Sequence, residues 1–171
     1  MARLKFISII FVFLSPFLFA QYFYTSNVTE TRGTTNHGTF LPNEIIIEVE
    51  STSKNEHWTI LQILPLNCNK KCQNDTHIIR QINTALGKDM DRVKRYILKN
   101  TNSNKNYIYL NNYPKVVVLD NSQTLYNRLS NMEERVFIAD PFGKIILGYK
   151  EDFNAKGLLK DIKKLLKYSK I

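Results

Sequence analysis

The chain has 171 residues, enough for one domain and a short appendage. Its apolar fraction of 43% and aromatic fraction of 12% exclude an intrinsically disordered chain. The formal net charge of +9 would suit nucleic acid or an anionic membrane surface as a partner. However, no nucleic-acid motif accompanies the lysines, and Lys160, Lys163, Lys164 and Lys167 fall on the solvent side of one predicted helix, so we interpret the positive charge as a solvated basic face.

The first 24 residues have the pattern of a membrane anchor. Arg3 and Lys5 form a short basic region, and residues 6–24 follow without a charge. As a helix, this run would span roughly 28 Å, about the hydrocarbon thickness of a bilayer. A cleaved secretory signal is the alternative, since Ala20 suits the position before a cut, although Leu18 is bulky where a small residue is preferred. We favour an uncleaved anchor with the N-terminus in the cytoplasm and the remainder of the chain outside it.

The remainder divides into a tether and one domain. Residues 25–40 are largely polar and contain glycine, which is typical of a flexible linker. Residues 41–171 then form a single domain without internal repeats, and residues 44–49 are its first strand candidate.

Both cysteines of the chain lie where a predicted core strand turns into a predicted helix. Residues 58–64 are rich in branched and aromatic side chains, as in a buried strand, and Pro65 opens the loop that carries Cys68. After Cys72, apolar residues recur with a helical period up to Gly87, where a left-handed residue would end the helix. A helix N-terminus favours the thiolate, which attacks disulfides and binds soft metals. Cys68 and Cys72 are therefore the candidate catalytic and metal-binding residues.

The second half of the domain completes a sheet. Residues 91–98 and 114–119 are strand candidates, and residues 122–131 are predicted to be helical. Asp140-Pro-Phe-Gly143 joins two apolar runs and predicts a β-hairpin, since proline presets φ and glycine accepts a positive φ. Residues 155–168 form an amphipathic helix with a leucine-rich stripe and a lysine-rich wet face. This order predicts a thioredoxin-like α/β fold, with a central sheet flanked by helices.

Six stretches, spread over most of residues 1–168, carry a resemblance to a known family. They are Asn36-His-Gly38, Cys68 to Cys72, Ala85-Leu-Gly-Lys-Asp89, Asp91-Arg-Val93, Asp140-Pro-Phe-Gly143 and Lys156-Gly-Leu-Leu-Lys-Asp161. With the predicted anchor, they resemble the Sco family of cytochrome c oxidase assembly proteins. Within that family the chain looks like a small bacterial branch of uncharacterised membrane proteins.

The resemblance implies a copper site that is incomplete in this chain. In Sco proteins two cysteines and one histidine bind copper, and Cys68 and Cys72 match the cysteines. The histidine has no match, because residues 120–139 contain none, and Gln73 stands where a proline follows the second cysteine. His77 is a weak candidate for a third ligand, since it lies off the cysteine face of the helix. Two thiolates alone suit Cu(I), whereas Cu(II) would be poorly served without imidazole.

Three functions remain open at this point. The favoured one is a periplasm-facing assembly factor, rather than an enzyme, anchored in the bacterial inner membrane. In it Cys68 and Cys72 carry Cu(I), or reduce the disulfide of the subunit that receives copper, and the partner is cytochrome c oxidase or its assembly factors.

The second function is that of a general thiol–disulfide oxidoreductase, in which Cys68 attacks and Cys72 resolves the mixed disulfide. The three-residue spacer and the lack of a proline just before Val136 disfavour it. The third is a non-catalytic, membrane-tethered binding protein with a structural Cys68–Cys72 disulfide.

Overall fold

The computed structural model describes residues 2–25, 35–41, 44–47, 57–101, 107–119 and 122–169. The chain falls into two compact units, Met1–Thr35 and Asn36–Ile171. We predicted a membrane anchor over residues 1–24, and the first unit holds the helix α1 (Ala2–Thr25). Among the residues that the structure describes, no helix is long and apolar enough to cross a bilayer. Most of the predicted tether lies outside the described residues.

The second unit is built on one mixed sheet, which has six strands within the described residues. The strands are β1 (Thr39–Phe40), β2 (Trp58–Ile63), β3 (Val93–Leu98), β4 (Val116–Leu119), β5 (Glu134–Ala139) and β6 (Ile145–Lys150). Their order across the sheet is β1-β6-β5-β2-β3-β4. Strands β2, β3 and β4 run parallel, whereas β5 pairs antiparallel with β2, β6 with β5, and β1 with β6. The central strand β2 is buried at every position.

Helices cover both faces of this sheet. They are α2 (Lys70–Thr84), α3 (Gln123–Ser130) and α4 (Ala155–Tyr168), with short 3-10 helices at Gly87–Arg92 and Ile108–Asn112. On one face Ile79 of α2 and Leu158 of α4 share a core cluster with Ile60 of β2. On the other face Leu129 of α3 shares a cluster with Leu61 of β2. The predicted α/β arrangement, with a central sheet flanked by helices, is therefore confirmed.

The predicted hairpin is the β5–β6 connection. Asp140 Oδ1 accepts hydrogen bonds from the backbone N–H groups of Phe142 and Lys144, both at 2.9 Å. Gly143 has a φ of 83°, and a Cβ there would stand 2.7 Å from the carbonyl oxygen of Ile47. The turn thus requires glycine both for its backbone conformation and for the close approach of the segment before β2.

Several predicted elements differ from the structure at their ends, and two strand candidates show this clearly. Of the strand candidate 44–49, Ile46 forms only an isolated bridge with Lys144, and residues 48 and 49 lie outside the described part. The segment 91–98 is a strand only from Val93, because the 3-10 helix that follows α2 continues through Arg92.

A buried carboxylate ties the start of the domain to α4. Asp161, only 2% exposed, accepts hydrogen bonds from the backbone N–H groups of His37 (2.7 Å) and Gly38 (3.0 Å). The hydroxyl of Tyr149 donates a further bond at 2.8 Å. Burial by itself opposes ionisation, but the bonds from Gly38, His37 and Tyr149 outweigh it and hold the pKa of Asp161 below its usual value.

We expect Asp161→Asn to lower the free energy of unfolding by about 2 kcal/mol at neutral pH, because hydrogen bonds to a charged acceptor contribute more than neutral ones. The folded pKa lies below the unfolded one, so the contribution is complete above about pH 4 and is lost as the pH falls through the folded value. Urea unfolding at several pH values measures this difference. Asp91→Asn, at an exposed position, is the control with no expected effect. A difference between wild type and Asp161→Asn that stays constant into strong acid would contradict the assignment.

Candidate functional site

The two cysteines form a disulfide at the junction of β2 and α2. Their Cα atoms are 5.3 Å apart. Helix α2 begins at Lys70, two residues earlier than the apolar period predicts, so Cys72 lies in its first turn and Cys68 precedes the N-cap. The capping residue Asn69 accepts a hydrogen bond from the Cys72 N–H at 3.0 Å. Cys72 is buried and Cys68 is half-buried, so Cys68 is the more accessible residue of the two.

A tyrosine hydroxyl contacts this disulfide directly. Tyr109 Oη lies 3.3 Å from Cys68 Sγ, and because a disulfide sulfur carries no proton, the hydroxyl is the donor. Tyr107 and Tyr113 pack edge-to-face against the Tyr109 ring, with centroid distances of 6.5 and 6.4 Å. Burial raises the pKa of Tyr109, while a hydrogen bond with Thr76 opposes the rise. The phenol therefore remains a neutral donor at ordinary pH.

Polar side chains also fix the first turn of α2 to the end of β2. Gln62 Nε2 donates to the carbonyl oxygen of Cys72 at 3.3 Å. Thr76 Oγ1 donates to Gln62 Oε1 at 2.9 Å and lies 3.2 Å from the same carbonyl. All three residues are buried, so these bonds are shielded from water and hold Cys72 in a fixed position.

The charges around α2 do not converge on the thiols. Burial raises the pKa of Asp75, one turn after Cys72, to about 6; Lys71 opposes this rise, and Glu151 and Asp152 add to it. Lys71 forms ion pairs with Glu151 and Asp152, so much of its positive charge is neutralised there. The folded pKa of Asp75 exceeds its unfolded value. Ionisation of this residue therefore lowers the free energy of unfolding as the pH rises from about 4 to about 6.

A buried guanidinium lies in β3. Arg95 is 6% exposed, and its Nη1 has no hydrogen-bond partner within the described residues. Burial and the nearby Arg80 both lower its pKa. No acid forms an ion pair with Arg95 in the part of the chain that the structure describes. It is thus a fixed positive charge in the sheet that carries the cysteine loop.

The structure does not bring His77 to the cysteines. His77 is exposed on α2, and its Nε2 lies 3.1 Å from Gln81 Nε2 one turn further on. Within the described ranges, no three histidine, cysteine, aspartate or glutamate side chains are close enough together to hold a metal ion. The two sulfurs are therefore the donors that remain for a metal, and their role stays a prediction.

The fold and the site together define a class of protein. A buried strand that leads into a cysteine pair at a helix N-terminus, in a mixed sheet covered on both faces, is the arrangement of a thioredoxin-like domain. The family model described as "Transmembrane-like, thioredoxin-like, C-terminal domain" matches residues 58–169, and the chain belongs to this family. No curated protein sequence matches the chain.

Solved structures similar to this chain include several Sco proteins. Apo Sco1 from Thermus thermophilus is 15% identical with a TM-score of 0.58, covering 78% of this chain and 99% of that protein. Yeast Sco1 with copper bound is 13% identical with a TM-score of 0.53, covering 66% and 80%. BsSco, described as a cytochrome c oxidase assembly protein with a disulfide switch, is 13% identical with a TM-score of 0.53, covering 76% and 95%. At such identities the likeness establishes the fold, and the resemblance inferred from the sequence is confirmed at that level.

We expect Tyr109→Phe to raise the pKa of the Cys68 thiol in the reduced protein by about one unit, because a donor to the thiolate is lost. The pH dependence of alkylation by iodoacetamide, with the modified cysteine identified by mass spectrometry, measures this shift. Tyr107→Phe is the matched control, since the Tyr107 hydroxyl donates to the carbonyl of Pro65 instead of to a sulfur. An equal shift in both variants would show that the tyrosine cluster acts only through packing.

Proposed function

We propose that this domain uses Cys68 and Cys72 in the assembly of cytochrome c oxidase, either carrying Cu(I) or reducing the disulfide of the subunit that receives copper. The observation that carries the proposal is the disulfide at the start of α2, with one half-buried and one buried sulfur. Its structural neighbours include a Sco1 described with copper bound and a Sco protein described with a disulfide switch, which supports this choice.

The donor set fits a soft monovalent metal once the disulfide is reduced. Reduction of the Cys68–Cys72 bond takes up two electrons and two protons and gives two thiols. Metal binding then displaces the thiol protons and leaves two thiolates, the ligands that Cu(I) prefers. The oxidised pair offers no thiolate, so the redox state of the pair would control loading of the copper cargo.

The small loop that the disulfide closes favours such cycling. In the chain-entropy model, a five-residue loop contributes only about 2 kcal/mol to stability. Neither cysteine belongs to the two larger core clusters, and Cys72 packs with Leu64 and Ile97 in a small third cluster, a contact that does not require the bond. The reduced domain is therefore expected to stay folded.

Copper binding is tested by titrating Cu(I) into the reduced full chain against a chromophoric competitor. We expect uptake of one Cu(I) per chain, lost in both Cys68→Ser and Cys72→Ser, because each variant retains a single thiolate. The oxidised wild type is expected to bind none. His77→Ala is the control that separates a two-thiolate site from one with an imidazole, and it should bind as the wild type does. Failure of the reduced chain to take up Cu(I) would rule out the copper arm of the proposal.

The unequal exposure of the two sulfurs favours a second candidate, a thiol–disulfide oxidoreductase. The Cys68 thiolate would attack a client disulfide, forming a mixed disulfide and releasing one client thiolate. The Cys72 thiolate would then attack Cys68 Sγ, releasing the second client thiolate and restoring the Cys68–Cys72 bond. The client gains two electrons and the domain loses two.

The reduction potential separates both active roles from a structural disulfide. If the pair is active, we expect a reduction potential well above about −300 mV. Structural disulfides of exported proteins have potentials below that level. Equilibration with thiol–disulfide buffers of known potential, followed by acid quenching and mass spectrometry, gives the value. A potential below about −300 mV would contradict both active roles and favour the non-catalytic binding protein.

The proposal includes a location outside the cytoplasm, at the bacterial inner membrane. The support is the Cys68–Cys72 disulfide, which persists in oxidising compartments, and the basic-then-apolar N-terminal sequence. We expect protease added to intact spheroplasts to degrade the domain. Degradation only after lysis would contradict this location.

A further inference from the structure

The solvent side of α4 carries lysines without exposed acids. Lys156, Lys160, Lys163 and Lys167, spaced by four, three and four residues, form one row along the helix, which we call the lysine row. All four are exposed, and the one acid of α4, Asp161, is buried and hydrogen-bonded on the other side. Within the described residues, no ion pair joins the lysine row to an acid. Like charges one turn apart repel, so the row destabilises the helix unless an anion lies against it.

A cavity of about 450 Å³ opens beside the C-terminal end of this helix. Its lining is largely apolar and includes Trp58 and Leu165, with Lys164 also lining it. Trp58 is 7% exposed, and its indole N–H has no hydrogen-bond partner among the residues that the structure describes. Asn36, the first residue of the domain, lines the same cavity.

Two exposed aromatic side chains also line this cavity. Phe142, in the turn between β5 and β6, is 80% exposed, and Tyr168, the last residue of α4, is 73% exposed. Single exposed apolar residues are common on soluble proteins. Here, however, both rings line the same largely apolar cavity, and Lys167 Nζ of the lysine row lies 5.9 Å from the centre of the Tyr168 ring. Aromatic rings beside cationic side chains are the composition of membrane-interface segments.

We propose that the lysine row of α4, together with Phe142 and Tyr168 at the C-terminal end of that helix, docks on an anionic phospholipid surface. The lysines supply attraction to the lipid headgroups, and the two rings enter the interface. An acidic protein or a nucleic acid would engage the lysines, but the paired exposed rings beside an apolar cavity favour lipid. The proposal does not depend on what the cysteines carry.

Hydrogen exchange of the full chain tests the proposal without a substitution at the aromatic residues. The chain is mixed with vesicles of phosphatidylcholine alone, or of phosphatidylcholine and phosphatidylglycerol in equal amounts. We expect slower exchange over residues 140–146 and the C-terminal half of α4 with the anionic vesicles only, and loss of that protection at high salt. Protection that is equal with both kinds of vesicle, or absent with both, would overturn the proposal. Binding to both kinds of vesicle would be explained by α1 alone.

Charge-reversal variants separate the surface from net charge. Lys160→Glu/Lys163→Glu is expected to abolish the protection specific to anionic vesicles. Lys94→Glu/Lys115→Glu makes the same change in net charge at exposed sites in β3 and just before β4, and should retain the protection. Equal loss of this protection in both variants would show that binding depends only on the net charge of the protein. If duplex DNA or polyglutamate protected α4 while anionic vesicles did not, the surface would serve a polyanion and the lipid proposal would be wrong.

Discussion

The burial of β2 on both faces is the constraint on which the rest of the domain depends. Because β3 and β5 pair with it on either side, and helices cover both faces, its side chains alternate between two core clusters. Ile60 belongs to the cluster under α2 and α4, and Leu61 to the one under α3. A slip of one residue would exchange these two sets, so the register is strongly specified. That register also fixes where the chain leaves the sheet and delivers Cys68.

The position of the cysteine pair was predictable from the sequence, whereas its surroundings were not. A change from a buried-strand composition to a helical period indicates the junction, and Cys68 and Cys72 lie on it. Tyr109 reaches the sulfur from 41 residues further along the chain, through a 3-10 helix too short to show a period. Gln62 stands within a largely apolar strand, and no local pattern indicates that it binds the Cys72 carbonyl. Contacts of this kind depend on tertiary packing, which local sequence does not encode.

The elements of the fold also differ in how well the sequence predicts them. Helix α4 and the hairpin have strong local signals, a leucine stripe and the Asp-Pro-x-Gly turn, and both are where the sequence predicts them. The start of α2 was missed because its first turn is mostly exposed and polar, so the helix there is set by the Asn69 cap rather than by apolar period. In the sequence, Asp161 stands among lysines and has the pattern of a solvent-exposed acid. Its burial becomes evident only when His37, more than a hundred residues earlier, lies against it.

The length of β2 separates the cysteine pair from the end of the domain that carries the cavity. The strand starts at Trp58, beside the cavity, and ends at Ile63, just before the cysteine loop. Six residues of strand span about 20 Å. The disulfide therefore lies about 20 Å along the strand direction from the Phe142 end of the domain. If the cysteine pair acts on a client protein, the length of this one strand would set how far the client's own cysteines must lie from the Phe142 end.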